Sequence, residues 1–219
     1  MKSSNSCRSD FARAIWQESV DPRGTLAELY LNRRGLELDD DLCGRTLRFH
    51  GRCPFGRDEA EKPIKVPALI IAFRPFRGDD ETRPPVAIHR IGLNTDGSKI
   101  GKMMLGPVAG CAVKLDADDM VEQGLGICEG IETGLAIRAA GWRPIWALGS
   151  AGAIAKFSPI PGVEALTIFA DHDEIDPRTG KRPGQAAARQ CAQAWNAVGC
   201  EVIIRTPCDA GADWLDVQP

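Results

Sequence analysis

The sequence predicts an α/β protein in which a parallel, four-stranded sheet fills the C-terminal half and a smaller α+β part precedes it. Two patterns predict it. From Gly124 onward, short apolar runs alternate with helical patterns at the spacing of βαβ units, which makes the strands parallel and covers both sheet faces. Before that point, strand-like runs follow one another with only turn-rich stretches between them, as antiparallel neighbours do. Composition sets the outer limits. With 219 residues, 43% apolar and 26% charged, the chain can bury a sizeable core, and no apolar run approaches the roughly 20 residues of a membrane span. The polar start, Met1 to Asp10, lacks the apolar stretch of a signal peptide, so a cytoplasmic location without a membrane partner is expected.

The elements follow in chain order. "SDFARAIWQES" spaces Phe11, Ala14 and Ile15 toward one side of a helix that runs on to Glu18 and Ser19. "DPRG" breaks it, and "TLAELYLNRRG" begins another, with Thr25 as N-cap, Glu28 three residues on and Gly35 at the C-terminal end. The strand-like runs are "TLRFH", "PALIIAFRPF", "VAIHRIGLN" and "GCAVKL", and Asp96-Gly97 forms a hairpin turn after the third. An acidic stretch, "DADDMVEQG", marks the boundary, so the parts are expected at 1–120 and 121–219. Then come the strand "GLGICEG", the helix "IETGLAIRAAG", the strand "PIWALGS" and the short helix "AGAIAKF". The strand "ALTIFAD", the helix "GQAAARQCAQAWNAVG" and the strand "CEVIIRTP" complete the series, the last helix turning Ala187, Cys191, Ala194, Trp195 and Val198 to one face.

Charge divides the chain. Residues 1–110 hold 18 Lys and Arg against 15 Asp and Glu, whereas residues 111–219 hold 9 against 15. A nucleic-acid partner would use a basic surface of the first half, and the acidic second half suits divalent cations. The eight cysteines are scattered with no CxxC pair, which excludes a disulfide framework and a zinc ribbon. Cys43, His50 and Cys53 form the nearest metal-like group, at irregular spacing and with three ligands only, and no structural zinc is expected. Nor is there a GxxxxGK[ST] P-loop. Gly149, Ser150 and Gly152 precede a helix, where their amides could cradle a phosphate or the glycines serve a tight strand-to-helix turn.

In a parallel α/β sheet, ligands bind beyond the carboxyl ends of the strands. Glu129 stands at the end of the first strand, Asp171 and Asp173 at the end of the third, and Asp213 and Asp216 follow the fourth. Carboxylates from three segments thus reach one sheet edge, where Mg²⁺ or Mn²⁺ would find the hard oxygen ligands that phosphoryl transfer employs.

"ICEGIETGLA", "IFADHDE…GQAAA" and "GADWLDV" resemble the successive motifs of the Rossmann-like Toprim domain, shared by bacterial-type primases, topoisomerases and some nucleases. "GTLAELYLNRRGL", "PALIIAFR" and "AIHRIGLNTDGSKIGKMMLGPVAGCAVKL" resemble the segment preceding Toprim in primases and primase–helicases of phages, plasmids and other mobile elements. The resemblance implies a primase-like nucleotidyltransferase that makes short oligonucleotides on a DNA template. Its partners would be single-stranded DNA, nucleoside triphosphates and a separate helicase or replication protein. Glu129, Asp171 and Asp173 would be catalytic, and together with Asp213 they would hold Mg²⁺ or Mn²⁺. In "GADWLDV", Leu215 stands where the family has Asn. Glu132 is a further candidate near a helix N-terminus. Arg90, Lys99 and Lys102 match the family's basic segment for template and nucleotide, although the two lysines also fit a solvated turn. "EIDPRTGKRP", with Arg178, Lys181 and Arg182, lengthens the link after the Asp pair and reads as an exposed loop or a phosphate-contacting flap. A Toprim nuclease and a non-enzymatic nucleic-acid-binding protein are the alternatives.

Overall fold

The computed structural model describes residues 4–78, 81–174, 182–209, 211 and 214–215. They form two compact units, Met1–Cys111 and Ala112–Pro219.

In the first unit, α1 (Ser4–Glu18) and α2 (Leu26–Arg33) precede an antiparallel meander of β1 (Leu47–Arg57), β2 (Pro63–Pro75), β3 (Ala87–Leu93) and β4 (Lys99–Leu105). The Thr25 hydroxyl accepts from the Ala27 amide 3.1 Å away, as an N-cap should. Glu28 reaches the amide of Gly24 at 2.7 Å, one residue beyond the position a capping box would use. At the other end Gly35 has φ 70°, and the Leu36 amide bonds to Leu31 O at 3.0 Å. Ala68 to Phe73 of β2 are all buried, which explains why this strand reads as one apolar run. Ala68, Ile70 and Ala72, with Ile88 of β3, pack under Ala12, Ile15 and Trp16 of α1. The buried side of α1 is therefore Ala12, Ile15 and Trp16, while Phe11 is 48% exposed. β4 pairs with β3 along its length, a strand whose alternation of Lys, Gly and Met hides it from an apolar-run reading.

The second unit begins where β5 (Cys111–Lys114) pairs antiparallel with β7 (Ile145–Ala147). β7, β6 (Gly124–Cys128), β8 (Ala165–Phe169) and β9 (Glu201–Arg205) then lie side by side and parallel, with β6 between β7 and β8. The connecting helices are α3 (Ile131–Ala139), α4 (Ala151–Ala155) and α5 (Pro183–Asn196). This is the four-stranded parallel sheet expected from the sequence.

The chain divides between Cys111 and Ala112, so Asp116 belongs to the second unit. Asp116, assigned to the boundary stretch, is 1% exposed and anchors the second unit. Its carboxylate accepts from Arg138 Nε at 3.2 Å, Arg143 Nε at 2.7 Å and the Ile145 amide at 2.9 Å, and its carbonyl accepts from the Trp146 indole at 2.9 Å. In α5 the buried residues are Gly184, Ala187, Ala188, Cys191 and Trp195. Ala194 and Val198, expected on that face, are exposed, and Val198 lies past the end of the helix.

Candidate functional site

β6 is followed in the chain by β7 on one side and β8 by β9 on the other, so the carboxyl ends of the adjacent strands β6 and β8 flank a topological switch point. Cys128 and Phe169 are in register at the ends of β6 and β8. Glu129 is one residue beyond that pair and Asp171 two residues beyond it. Adjacent strands lie about 4.8 Å apart, so both carboxylates leave neighbouring backbones.

The thiol of Cys128 lies within reach of both charges. It is fully buried, and its pKa is pushed well above the usual value of 9.0, first by burial and then by the negative charges of Asp171, Glu129 and Glu132. The charges of three carboxylates, from two strand ends and the first turn of α3, thus reach this thiol. Cys128 donates toward Gly130 O at 3.3 Å, so its proton remains inside the fold.

Asp173 is placed by a different interaction. Its Oδ2 accepts from the Gly184 amide at 2.6 Å, in the first turn of α5. A Cβ on residue 184 would stand 2.8 Å from that oxygen, so a larger residue there would make the Asp173 carboxylate shift. Between the two aspartates, His172 Nδ1 is 2.9 Å from Pro207 O, and the Gly211 amide donates to His172 O at 2.7 Å. Arg182 Nη1 approaches His172 Nε2 to 2.8 Å. Sequence reading passed over His172, because its partners lie 10 and 35 residues away and only the fold brings them together. Asp213 and Asp216 lie outside the described residues.

Whether these groups suit Mg²⁺ or Mn²⁺ is a question of donor chemistry. Among the described residues, no three His, Cys, Asp or Glu side chains form a ready cage. Mg²⁺ is usually held by one or two carboxylates, with waters and substrate phosphates completing its octahedron. Glu129 and Asp171, just past adjacent strand ends, with Asp173 two residues on, are the donor types that open mode uses.

The basic candidates lie in the first unit and do not form one set. Arg90 is 5% exposed, and its Nη1 donates to Pro54 O at 2.6 Å. Burial lowers its pKa, and the neighbouring Cys53 partly offsets that. Arg90 is thus committed to the interior. Lys99 and Lys102 are exposed on β4. Three residues apart on a regular strand, they would point to opposite faces. The β3–β4 register slips between Gly92 and Leu93, so Lys99 pairs with Leu93 and Lys102 with Ile91. Because Ile91 and Leu93 share a face, this bulge brings both lysines to one face of β4, while Arg90, paired with Met103, belongs to the other.

Comparison with known proteins now bears on the whole chain. Residues 6–115 match the family model described as a domain of unknown function, DUF7146, and residues 124–218 match that of the Toprim domain. The chain belongs to the DUF7146 family and carries a Toprim domain. Its fold is similar to a DNA primase domain from Pseudomonas aeruginosa, with a TM-score of 0.58 at 15% identity over 97% of this chain and 72% of the other. It is similar too to the Aquifex aeolicus primase, zinc-binding and RNA polymerase domains, with a TM-score of 0.59 at 14% identity over 97% of this chain and 55% of that one. The DnaG catalytic domain bound to ssDNA matches with a TM-score of 0.58 at 16% identity over 97% and 74% of the two chains. No curated protein sequence matches it. At these identities the structural likeness establishes a shared fold, and it agrees with the Toprim motifs read from the sequence. No described helix is long and apolar enough to cross a membrane.

Proposed function

We propose that this protein is a metal-dependent nucleotidyltransferase of the primase type, which joins nucleotides on a single-stranded DNA template. The observation that carries the reading is the position of Glu129 and Asp171 just past the in-register ends of the adjacent strands β6 and β8, at the carboxyl edge of a Toprim sheet. Glu129, Asp171 and Asp173 would hold Mg²⁺ or Mn²⁺, with Asp213 as a further ligand, and the ion when bound would stabilise negative charge on the phosphoryl group. Glu129 follows β6 directly and would orient the ion or take the proton of an attacking 3′-hydroxyl. The face of β4 that bears Lys99 and Lys102 presents two cations suited to the phosphates of template or nucleotide. Partners would be the template strand, nucleoside triphosphates and a helicase or replication protein acting alongside.

The test is direct. The protein is incubated with single-stranded DNA, labelled nucleotides and Mg²⁺ or Mn²⁺, and the products are resolved by length. Template-dependent oligomers, absent from an Asp171→Asn variant, are the expected result. Shortened DNA in their place would assign the acidic cluster to phosphodiester cleavage. Binding without either product would leave a nucleic-acid-binding Toprim protein.

A further inference from the structure

Arg182, at the start of α5, has no carboxylate partner among the described residues. It immediately precedes the helix, and its polar contact among the described residues is to a ring nitrogen, His172 Nε2, at 2.8 Å. Its Nε has no hydrogen-bond partner there. The carbonyl of Pro207, 2.9 Å from His172 Nδ1, can only accept, so Nδ1 carries the proton and Nε2 offers its lone pair to the guanidinium. The ends of this junction are tied twice, His172 to Arg182 and Asp173 to Gly184.

An arginine paired to Asp171 or Asp173 would cancel the charge that a cation needs at this site. An imidazole acceptor avoids that loss. It holds the guanidinium beside the Asp-His-Asp segment through Nη1, and with Nε buried the Nη1–Nη2 edge is the planar pair of donors left for a phosphate. We propose that His172 and Arg182 form a phosphate clamp, in which His172 orients Arg182 to receive a phosphate oxygen of the substrate at the Asp171–Asp173 site. The clamp rests on the phosphoryl-transfer reading above. Arg182 is the binding group, and His172 is a positioning residue that acts through it. The phosphate could belong to a nucleoside triphosphate or to the nucleic-acid strand, and both present the same oxyanion.

Binding measurements on the full chain separate the possibilities. Mn²⁺ alone is titrated by electron paramagnetic resonance. Inorganic pyrophosphate and a twelve-residue oligothymidylate are titrated separately by calorimetry with Mn²⁺ present. Arg182→Ala is expected to weaken one phosphate probe by about tenfold while Mn²⁺ affinity stays within about twofold. Arg182→Lys should recover part of the loss, because the charge survives and the fork does not. His172→Asn should weaken the same probe. Loss confined to pyrophosphate assigns the clamp to the triphosphate, and loss confined to the oligonucleotide assigns it to the strand. Unchanged affinity for both probes in Arg182→Ala would overturn the clamp, as would a parallel loss of Mn²⁺, which would make Arg182 a structural tie. Failure of the underlying reading looks different: a wild-type protein that binds no Mn²⁺, or whose Mn²⁺ affinity survives Asp171→Asn.

Discussion

Asp171 and Asp173 stand two residues apart and differ in what the fold asks of them. Asp171 and Glu129 follow the in-register ends of two adjacent strands, so their like charges oppose one another in the ion-free protein. Asp173 accepts the Gly184 amide and so caps the start of α5. Asp171→Asn should therefore abolish or severely weaken Mn²⁺ binding and leave the ion-free melting temperature equal or higher. Asp173→Asn keeps an acceptor for the amide but loses its charge at a helix N-terminus, so melting should fall slightly, by about 0.5–1 kcal/mol of stability. Calorimetric melting of both variants in EDTA checks the contrast, and a large loss in Asp171→Asn would make that side chain structural. The Asp-x-Asp motif is visible in the sequence and this division of labour is not, because the Gly184 amide that distinguishes the two aspartates lies 11 residues away.

At the level of elements, the legible features were those coded by neighbouring residues. Period-two and apolar runs located most strands, and Thr25 and Gly35 marked the ends of α2 as expected. β4 and its bulge were less legible, since a register slip is decided between strands. That slip matters, because it puts Lys99 and Lys102 on one face. If both contact phosphates of a single strand, Lys99→Ala with Lys102→Ala should flatten the logarithmic salt dependence of oligonucleotide binding by about 1.4 units, roughly 0.7 for each contact. An unchanged slope, measured by fluorescence anisotropy at several salt concentrations, would return both lysines to solvent. Asp116 makes the opposite point. A carboxylate in an acidic, turn-rich stretch reads as linker, yet here it is buried and joins Arg138, Arg143 and the start of β7. Asp116→Ala leaves the buried Arg138 without that carboxylate and should destabilise the second unit by about 3–5 kcal/mol in denaturant unfolding. A loss below about 1 kcal/mol would show that water or a rearranged neighbour replaces the carboxylate.

Across the whole molecule, the buried thiols tie stability to alkaline pH. Burial pushes Cys53 in the first unit up to about 11 and Cys191 in the second to about 12, and Cys128 lies well above its usual 9.0. In the unfolded chain each would titrate near 9.0, so above that pH the unfolded state sheds protons that the folded state keeps. Fewer protons bound in the unfolded state means that stability falls as pH rises, by at most about 1.4 kcal/mol per pH unit for each group. The contribution is fully present below about pH 8 and declines from about pH 9 toward the folded values. Cys128 adds a feature peculiar to the acidic site. Its shift comes partly from Asp171, Glu129 and Glu132, so a divalent cation that neutralises those carboxylates should lower its pKa toward that of an ordinary buried thiol. Urea unfolding at pH 7.5, 9 and 10, with and without Mn²⁺, in wild type and Cys128→Ala, reads both effects. Wild type should lose stability between pH 9 and 10, Cys128→Ala should lose less, and the difference between the two proteins should change when Mn²⁺ is present. Equal alkaline losses in the two proteins would mean that the Cys128 proton is not held by the fold. A difference that ignores Mn²⁺ would separate the ion from the carboxylates whose charges reach this sulfur.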